Sequence, residues 1–68
     1  MYSLKIYKNG MFQNEKTGKQ IVTEYFEQDI RNCKPTNIRH TKNSVIIAFC
    51  DSKFTCIYTL PNKYIWFN

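Results

Sequence analysis

The chain has 68 residues, of which 43% are hydrophobic and 16% aromatic. A chain of this length forms one domain, residues 1–68, and buries only about 60% of the surface that its unfolded form exposes. The hydrophobic fraction is too high for a disordered protein. So small a core leaves little room for a separate active-site layer, and we therefore expect a binding protein that is not an enzyme.

The net charge of +5 and the pI of about 9.3 favour acidic partners such as nucleic acid or an acidic protein face. A basic surplus also keeps proteins soluble. The odd cysteine number and the absence of a CxxC pair predict reduced thiols in a cytoplasmic protein. We expect no membrane contact, because no apolar run reaches the ~18 residues of a membrane span and the N-terminus lacks a signal-peptide pattern.

The first third of the chain predicts a β-hairpin. Apolar side chains alternate with polar ones over residues 2–7, which is typical of a strand with one buried face. Asn9 and Gly10 follow, a pair that favours a tight hairpin turn. Residues 11–13 begin the returning strand. Residues 14–19 are polar and are predicted as a loop or an irregular part of that hairpin, and residues 19–22 are again predicted as strand.

A short amphipathic helix is predicted next, with Thr23 as its N-cap. Phe26, Ile30 and Cys33 fall at i, i+4 and i+7 and would form its buried stripe. Pro35 ends the helix. Two to three turns are not stable alone, so the helix must pack on a sheet.

The second half of the chain predicts strands and turns. Residues 35–43 are polar, with a short extended piece around Ile38. The apolar run of residues 45–50 predicts a central strand covered on both faces or nearly so. Residues 54–60 and 64–67 are the next strands, separated by a turn at 61–63. The expected fold class is α+β: an antiparallel sheet of about five strands, in the order β-β-α-β-β-β, with one short helix on one face and a final three-strand meander.

Catalytic and metal chemistry lack a suitable set of residues. His40 is the only histidine, and residues 30–50 contain no carboxylate that could orient it. A zinc site built from His40 and the cysteines Cys33, Cys50 and Cys56 would need ligand pairs that this spacing does not supply. We therefore predict no catalytic residue, no metal and no cofactor.

The basic residues carry more information about partners. Four of the ten lie within twelve residues and form a predicted basic edge: Arg31, Lys34, Arg39 and Lys42. Such a helix end and loop suits phosphates or carboxylates. The alternative is a solvated face that balances the acids in the first half of the helix.

Aromatic residues are concentrated towards the C-terminus, at Tyr58, Tyr64, Trp66 and Phe67. They could form a base-stacking platform, but core packing is the more common use of such residues. We predict that Tyr58 and Trp66 contribute anchors to a protein interface. The sequence does not indicate an oligomeric state.

The C-terminal part of the chain comprises Ser44-Val45-Ile46-Ile47, a predicted strand ending at Tyr58, a turn at Lys63 and a final segment with Trp66. This pattern, together with the length, element order and basic character of the chain, resembles a first family of small phage inhibitors, the type I-F anti-CRISPR proteins. The resemblance implies binding to a CRISPR surveillance ribonucleoprotein, with Arg31 and Lys34 at the contact, and nonspecific DNA contact.

The second family is that of the Dmd antitoxins of T4-type phages, which neutralise a host RNase toxin by plugging its active groove. Residues 10–15, Gly-Met-Phe-Gln-Asn-Glu, are similar to the Gly-x-Phe-x-Asn-Glu segment of that family. Residues 48–53, Ala-Phe-Cys-Asp-Ser-Lys, followed by Cys56, are similar to its later Ala-Phe-x-Asp run. This resemblance implies an antitoxin that binds an RNase.

These resemblances share the expectation of a phage protein that evades host defence by binding a nuclease-based system in the host cytoplasm. From the sequence we expect a CRISPR complex as the first target and an RNase toxin as the alternative. A small basic nucleic-acid-binding module is the third hypothesis.

Overall fold

The computed structural model describes the backbone of residues 1–67 and the side chains of residues 1–64. The elements in chain order are β1 (Ser3–Lys8), β2 (Met11–Thr17), α1 (Lys19–Asn32), β3 (Asn37–His40), β4 (Ser44–Cys50), β5 (Phe54–Pro61) and a C-terminal 3₁₀ helix (Asn62–Phe67). The strands form one antiparallel sheet in the order β2-β1-β5-β4-β3. The α+β class and the β-β-α-β-β-β order are confirmed, and β3, β4 and β5 form the final meander.

The first hairpin has the predicted turn. Asn9 and Gly10 adopt φ of 52° and 77°, the left-handed values that a tight two-residue turn requires. β2 is longer than predicted, because residues 14–17, expected as a loop or an irregular part of the hairpin, continue to pair with β1. A polar sequence suffices there because β2 is an edge strand whose residues lie mostly at the surface. A register shift opposite Ile6 and Tyr7 marks a β-bulge.

The helix begins earlier than predicted, at Lys19, and residues 19–22 are not a strand. Gly18 is the N-cap, with φ of 106°, and its N–H donates to the Tyr2 carbonyl at 3.5 Å. The expected N-cap, Thr23, lies inside the helix. The earlier start lets Val22 enter the core one turn before Phe26.

The helix end also differs from the prediction. The helix ends at Asn32, three residues before Pro35, which was expected to end it. Cys33 is the C-cap and has an extended backbone conformation. Cys33 is therefore exposed and does not belong to the buried stripe. The stripe consists of Val22, Phe26 and Ile30, at i, i+4 and i+8, with the last only partly buried.

The core lies between α1 and one face of the sheet. Its buried side chains are Leu4, Val22, Phe26, Val45, Ile47, Phe49, Tyr58 and Leu60. Phe26 makes edge-to-face contacts with Phe49, Tyr58 and Tyr64, with ring centroids 6.1, 5.2 and 5.6 Å away. Edge-to-face packing is a preferred geometry for aromatic pairs.

The C-terminal segment 64–67 was predicted as a strand and is instead part of the 3₁₀ helix. β3, expected only as a short extended piece around Ile38, takes the sheet position beside β4. Tyr64 then turns inward, with its ring edge-to-face against Phe26 and against Tyr2. The Lys63 ammonium lies 5.5 Å from the ring centres of Tyr2 and Tyr64. These cation–π contacts hold the 3₁₀ helix against the start of β1.

Candidate functional site

The four residues of the predicted basic edge are all exposed, but they do not form one compact patch. Arg31 is in the last turn of α1, and Lys34 lies between α1 and β3. Lys42 lies in the turn after β3, where its carbonyl accepts a hydrogen bond from Asn62 Nδ2 at 3.1 Å. A four-residue strand rises about 13 Å, so β3 separates Lys34 from Lys42 and carries Arg39 between them.

The two predicted aromatic anchors have different outcomes. Tyr58 is fully buried, so the prediction that it contacts a partner is wrong. Its side chain faces α1 because core-facing residues alternate along β5, and its hydroxyl donates to Asp29 Oδ2 at 2.5 Å. Burial and this hydrogen bond raise the pKa of Tyr58. Trp66 lies in the 3₁₀ helix, but its side chain is outside the described residues.

A second surface, whose residues were not among the predicted site residues, lies at one end of the sheet. The β1–β2 turn and the β4–β5 turn meet there, because Asn9 N–H donates to the Lys53 carbonyl at 2.9 Å. The pairing of Lys8 with Phe54 in neighbouring strands brings the same two turns together. We call this surface, residues 8–12 and 51–54, the hairpin end.

The hairpin end presents large apolar side chains to solvent. Met11 is 69% exposed, Phe12 56% and Phe54 39%. The Phe12 ring packs edge-to-face on Tyr7 at 5.7 Å, and the Lys8 ammonium lies 5.6 Å from the centre of the Phe54 ring. These contacts hold the aromatic rings in place without covering them, as in protein-binding surfaces that use aromatic anchors.

The β4–β5 turn is held by the Asp51 carboxylate. Its Oδ1 accepts hydrogen bonds from Lys53 N–H at 2.7 Å and from Phe54 N–H at 2.6 Å. The backbone N–H groups of Phe54 and Lys53 lower the pKa of Asp51 for this reason. The carboxylate thus accepts hydrogen bonds within the turn, while the side chains of Lys8 and Lys53 are exposed in the same surface as Met11, Phe12 and Phe54.

The C-terminal end of α1 lies at the same end of the sheet. Thr36 N–H donates to the Ala48 carbonyl at 2.7 Å, and Cys50 N–H donates to Thr36 Oγ1 at 3.1 Å. These bonds place the chain after α1 beside the end of β4. Arg31 and Lys34 therefore belong to the same end of the molecule as the hairpin end, and this end is both apolar and basic.

The cysteines also gather near this end. All three thiols are free. Burial, with a contribution from the Asp29 charge, raises the pKa of Cys56 to about 11 and also raises that of Cys33. A raised pKa reduces the thiolate fraction that acts as nucleophile or metal ligand. Within residues 1–64, no group of three or more His, Cys, Asp or Glu side chains is arranged to hold a metal ion.

A groove of about 520 Å³ runs along the first half of α1. Its lining residues are Lys19, Gln20, Thr23, Glu24 and Glu27. All belong to one exposed helix face except Thr23, which is partly buried. Two of the three acids of the helix, Glu24 and Glu27, thus lie in the groove, whereas Asp29 accepts the hydrogen bond from Tyr58. In the described part of the chain, no helix is long and apolar enough to cross a membrane.

The hairpin end could have been found in part from the sequence. Met11 and Phe12 are consecutive in a predicted strand, so their side chains point to opposite faces and cannot both enter one core. The meeting of two turns some 40 residues apart, however, depends on strand pairing that no local pattern specifies. Comparison with known proteins found no matching family model, no matching curated protein and no matching solved structure.

Proposed function

We propose that this chain is a stoichiometric inhibitor that binds a host nuclease through the hairpin end and prevents it from engaging nucleic acid. The observation that carries the proposal is the hydrogen bond from Asn9 N–H to the Lys53 carbonyl, which joins the two turns. Residues 10–15 and 48–53 are the two segments that resemble the Dmd antitoxins, and both reach this surface. An RNase toxin is therefore the first proposed target, ahead of a CRISPR complex.

The chemistry of the surface supports a protein partner over nucleic acid. Met11 and Phe54 flank Lys8 on one face of the sheet, and Phe12 lies beside Tyr7 on the other, so exposed apolar area extends around this end of the sheet. Interfaces between proteins use such aromatic anchors surrounded by a polar rim. The basic residues at this end indicate that the target groove contributes carboxylates, because a strongly basic groove would repel them.

The experiment is a titration of an RNase toxin, of the kind that the Dmd antitoxins neutralise, with the purified protein. We expect RNA cleavage to fall linearly and to stop at one protein per toxin. Phe12→Ser and Phe54→Ser should each weaken inhibition at least tenfold. Ile21→Ser is the matched control, because Ile21 is 43% exposed on α1, outside the hairpin end. Equal loss in all three variants would contradict the assigned surface.

The second proposed target is a type I-F CRISPR surveillance complex, and the exposed basic side chains favour it. Arg31 and Lys34 lie at the same end of the molecule as the hairpin end, and Arg39 and Lys42 extend the positive charge along the outer strand β3. Reversing the charges of Arg31 and Lys34 together should abolish inhibition of target-DNA binding by that complex. Unchanged inhibition would remove these residues from the contact.

A nucleic-acid-binding module is the third hypothesis, and salt separates it from an inhibitor. If the chain contacted three or four phosphates, its affinity for duplex DNA would fall with a log–log slope of about −3 to −4 in salt concentration. Titration of labelled duplex DNA at two salt concentrations measures this slope. Tight, salt-steep binding to DNA without any protein target would overturn the inhibitor proposal.

A further inference from the structure

The last cross-strand row of the hairpin end places a lysine between two apolar side chains. Lys8 of β1 pairs with Met11 on β2 and with Phe54 on β5. Residues directly opposite each other in antiparallel strands point to the same face. Lys8 shares the α1 side of the sheet with the core residue Leu4, because side chains on one face recur at every second position. All three side chains of this lysine row are nevertheless exposed, so α1 leaves this end of the face open.

The Lys8 ammonium is held within the lysine row. It lies 5.6 Å from the centre of the Phe54 ring, which is inside the range of a cation–π contact. Such a contact fixes the position of the charge without neutralising it. The side-chain carboxyl groups of the chain have other neighbours: Glu15 is opposite Lys5, Glu24 and Glu27 line the groove of α1, Asp29 accepts from Tyr58, and Asp51 accepts from the backbone of its own turn. The charge of Lys8 is therefore open to a partner.

Lys5, on the same strand, provides a contrast. It points to the opposite face and pairs with Glu15, an opposite-charge cross-strand pair of the kind that stabilises sheets. Lys8 has a methionine and a phenylalanine in the corresponding positions. The charge of Lys5 thus has a role in the pairing of β1 with β2, whereas the charge of Lys8 gains no such pair within the sheet.

We propose that Lys8 binds a carboxylate of the inhibited nuclease, and that Met11 and Phe54 shield this ion pair from water on both sides. The inference rests on the proposed function and adds the chemistry of the contact. Excluding water lowers the local dielectric constant and strengthens the attraction between opposite charges. The partner surface should therefore carry one acidic side chain next to apolar ones, which pack on Met11 and Phe54.

The apolar flanks favour a protein carboxylate over the phosphates of a nucleic acid. A nucleic-acid backbone carries a regular series of charges and is bound by several cations together, whereas the neighbours of Lys8 in its row are uncharged. Met11 and Phe54 would then face hydrated phosphates and sugars, which gain little from apolar side chains. A single carboxylate set among apolar residues matches the lysine row at all three positions.

Inhibition of the RNase toxin gives the first test. Lys8→Gln removes the charge and should raise the inhibition constant about tenfold or more, whereas Lys8→Arg keeps the charge and should stay within about threefold of wild type. Lys5→Gln is the matched control, because it removes the same charge from the same strand on the opposite face. Equal losses in Lys8→Gln and Lys5→Gln would show that only the overall charge matters and would overturn the inference.

A titration that needs no toxin separates the inference from the proposed function. The probe is the peptide acetyl-Leu-Glu-Leu-amide, followed through the backbone amide signals of the isotope-labelled chain, with acetyl-Leu-Gln-Leu-amide as control. The glutamate peptide should shift the signals of Lys8, Met11 and Phe54 in the wild type and in Lys5→Gln, but not in Lys8→Gln. Equal shifts with the glutamine peptide, or no shifts in the lysine row, overturn the inference even if the chain inhibits the toxin. Binding of the peptide at the row without inhibition of the toxin contradicts the proposed function alone.

A labelled single-stranded RNA oligonucleotide tests the phosphate alternative. We expect Lys8→Gln and Lys5→Gln to weaken its binding equally, because each removes one positive charge from the chain. A clearly larger loss in Lys8→Gln would mean that Lys8 contacts phosphate, and the assignment to a protein carboxylate would be wrong.

Discussion

The Tyr58 hydroxyl donates a hydrogen bond to Asp29 Oδ2 at 2.5 Å and so joins the central strand β5 to α1 across the core. Tyr58 is fully buried and Asp29 is partly buried. Isolated helices of this length are marginal in water, so α1 depends on such contacts with the sheet. The bond also satisfies a phenolic hydroxyl that would otherwise be buried without a partner.

Tyr58→Phe should destabilise the fold by about 1.5–3 kcal/mol, because hydrogen bonds to charged groups contribute about that much and the variant leaves a partly buried carboxylate without its donor. Urea denaturation followed by circular dichroism measures the change in the free energy of unfolding. Tyr25→Phe is the control, since Tyr25 is 37% exposed on the outer side of α1. Equal stability of Tyr58→Phe and wild type would contradict the structural role of this bond.

The raised pKa values of Cys56 and Tyr58 predict a loss of stability at high pH. Burial holds the Cys56 thiol protonated up to a pKa of about 11 in the folded chain, against 9.0 for an unperturbed thiol. Between these values the unfolded chain loses the proton first, so the stability is complete below pH 9 and falls as the pH rises towards 11. Burial is the larger cause, and the hydrogen bond to Asp29 the second cause, of the raised pKa of Tyr58. Tyr58 therefore also contributes stability that is lost at high pH.

Thermal unfolding at pH 8, 10 and 11 tests this dependence. The midpoint temperature of the wild type should fall steadily over this range. Cys56→Ala has no thiol to titrate, so its midpoint should fall less steeply, although it starts from a lower value because a packed side chain has been shortened. Identical slopes for the two proteins would show that Cys56 does not drive the loss.

Phe26 is the aromatic residue with which three other rings make edge-to-face contact. Phe26→Ala should cost about 3–5 kcal/mol, the usual range for large cavities. For a domain whose stability is marginal at this length, we expect the variant to be largely unfolded at room temperature. Tyr25→Ala changes the neighbouring helix residue, which is 37% exposed, and should remain folded. Amide dispersion in a proton–nitrogen correlation spectrum distinguishes the two outcomes.

The strands around the hairpins were predictable because local rules and tertiary pairing agree there. Asn9 and Gly10 favour the left-handed backbone values that the turn requires, and the apolar run of β4 matches a central strand. Local rules fail where pairing overrides them. The polar second half of β2 is a strand because it pairs with β1. Thr23 does not cap α1, because Gly18 lies earlier in the chain and adopts a positive-φ conformation that favours glycine, so the helix begins there.

The candidate site was less predictable than the fold. The exposure of Arg31, Lys34, Arg39 and Lys42 agrees with the expectation for charged side chains, yet the distance between them depends on where β3 pairs in the sheet. Tyr58 was assigned to an interface because aromatic residues serve equally in cores and at contacts. Only the strand register shows that it faces α1.

The two glycines with positive φ should differ in their response to substitution. At neither position would an added Cβ meet another atom within 4 Å, so the cost is conformational. Gly10 has φ of 77°, near the left-handed region that other residues visit at about 1–2 kcal/mol. Gly18 has φ of 106° and ψ of 145°, close to a region that is essentially restricted to glycine and costs up to about 3 kcal/mol.

Gly18→Ala should therefore lower the free energy of unfolding more than Gly10→Ala. Urea denaturation of both variants gives the comparison directly. Gly10→Asn is a useful third variant, because Asn tolerates the left-handed region better than Ala does. The reverse order of stability for the two alanine variants would indicate that the first turn of α1 adjusts readily without Gly18.

Asp51 offers a way to loosen the hairpin end without changing its exposed apolar side chains. Its carboxylate accepts the N–H groups of Lys53 and Phe54, which holds its pKa below the usual 3.8. A lowered folded-state pKa means that the stabilisation is present above pH 4 and is lost as the pH falls through the folded value. Asp51→Ala should remove this dependence and increase amide hydrogen exchange at Lys53 and Phe54.

Asp51→Asn is the matched variant, because its side-chain oxygen can still accept both N–H groups while carrying no charge. We expect amide protection in Asp51→Asn to lie between wild type and Asp51→Ala and to be independent of pH from 3 to 6. Because the same turn supplies the Lys53 carbonyl that accepts from Asn9 N–H, exchange at Asn9 should rise together with that at Phe54 in Asp51→Ala. Faster exchange at Phe54 with unchanged protection of Asn9 would mean that the two turns are not coupled, and the hairpin end would then not act as a single surface.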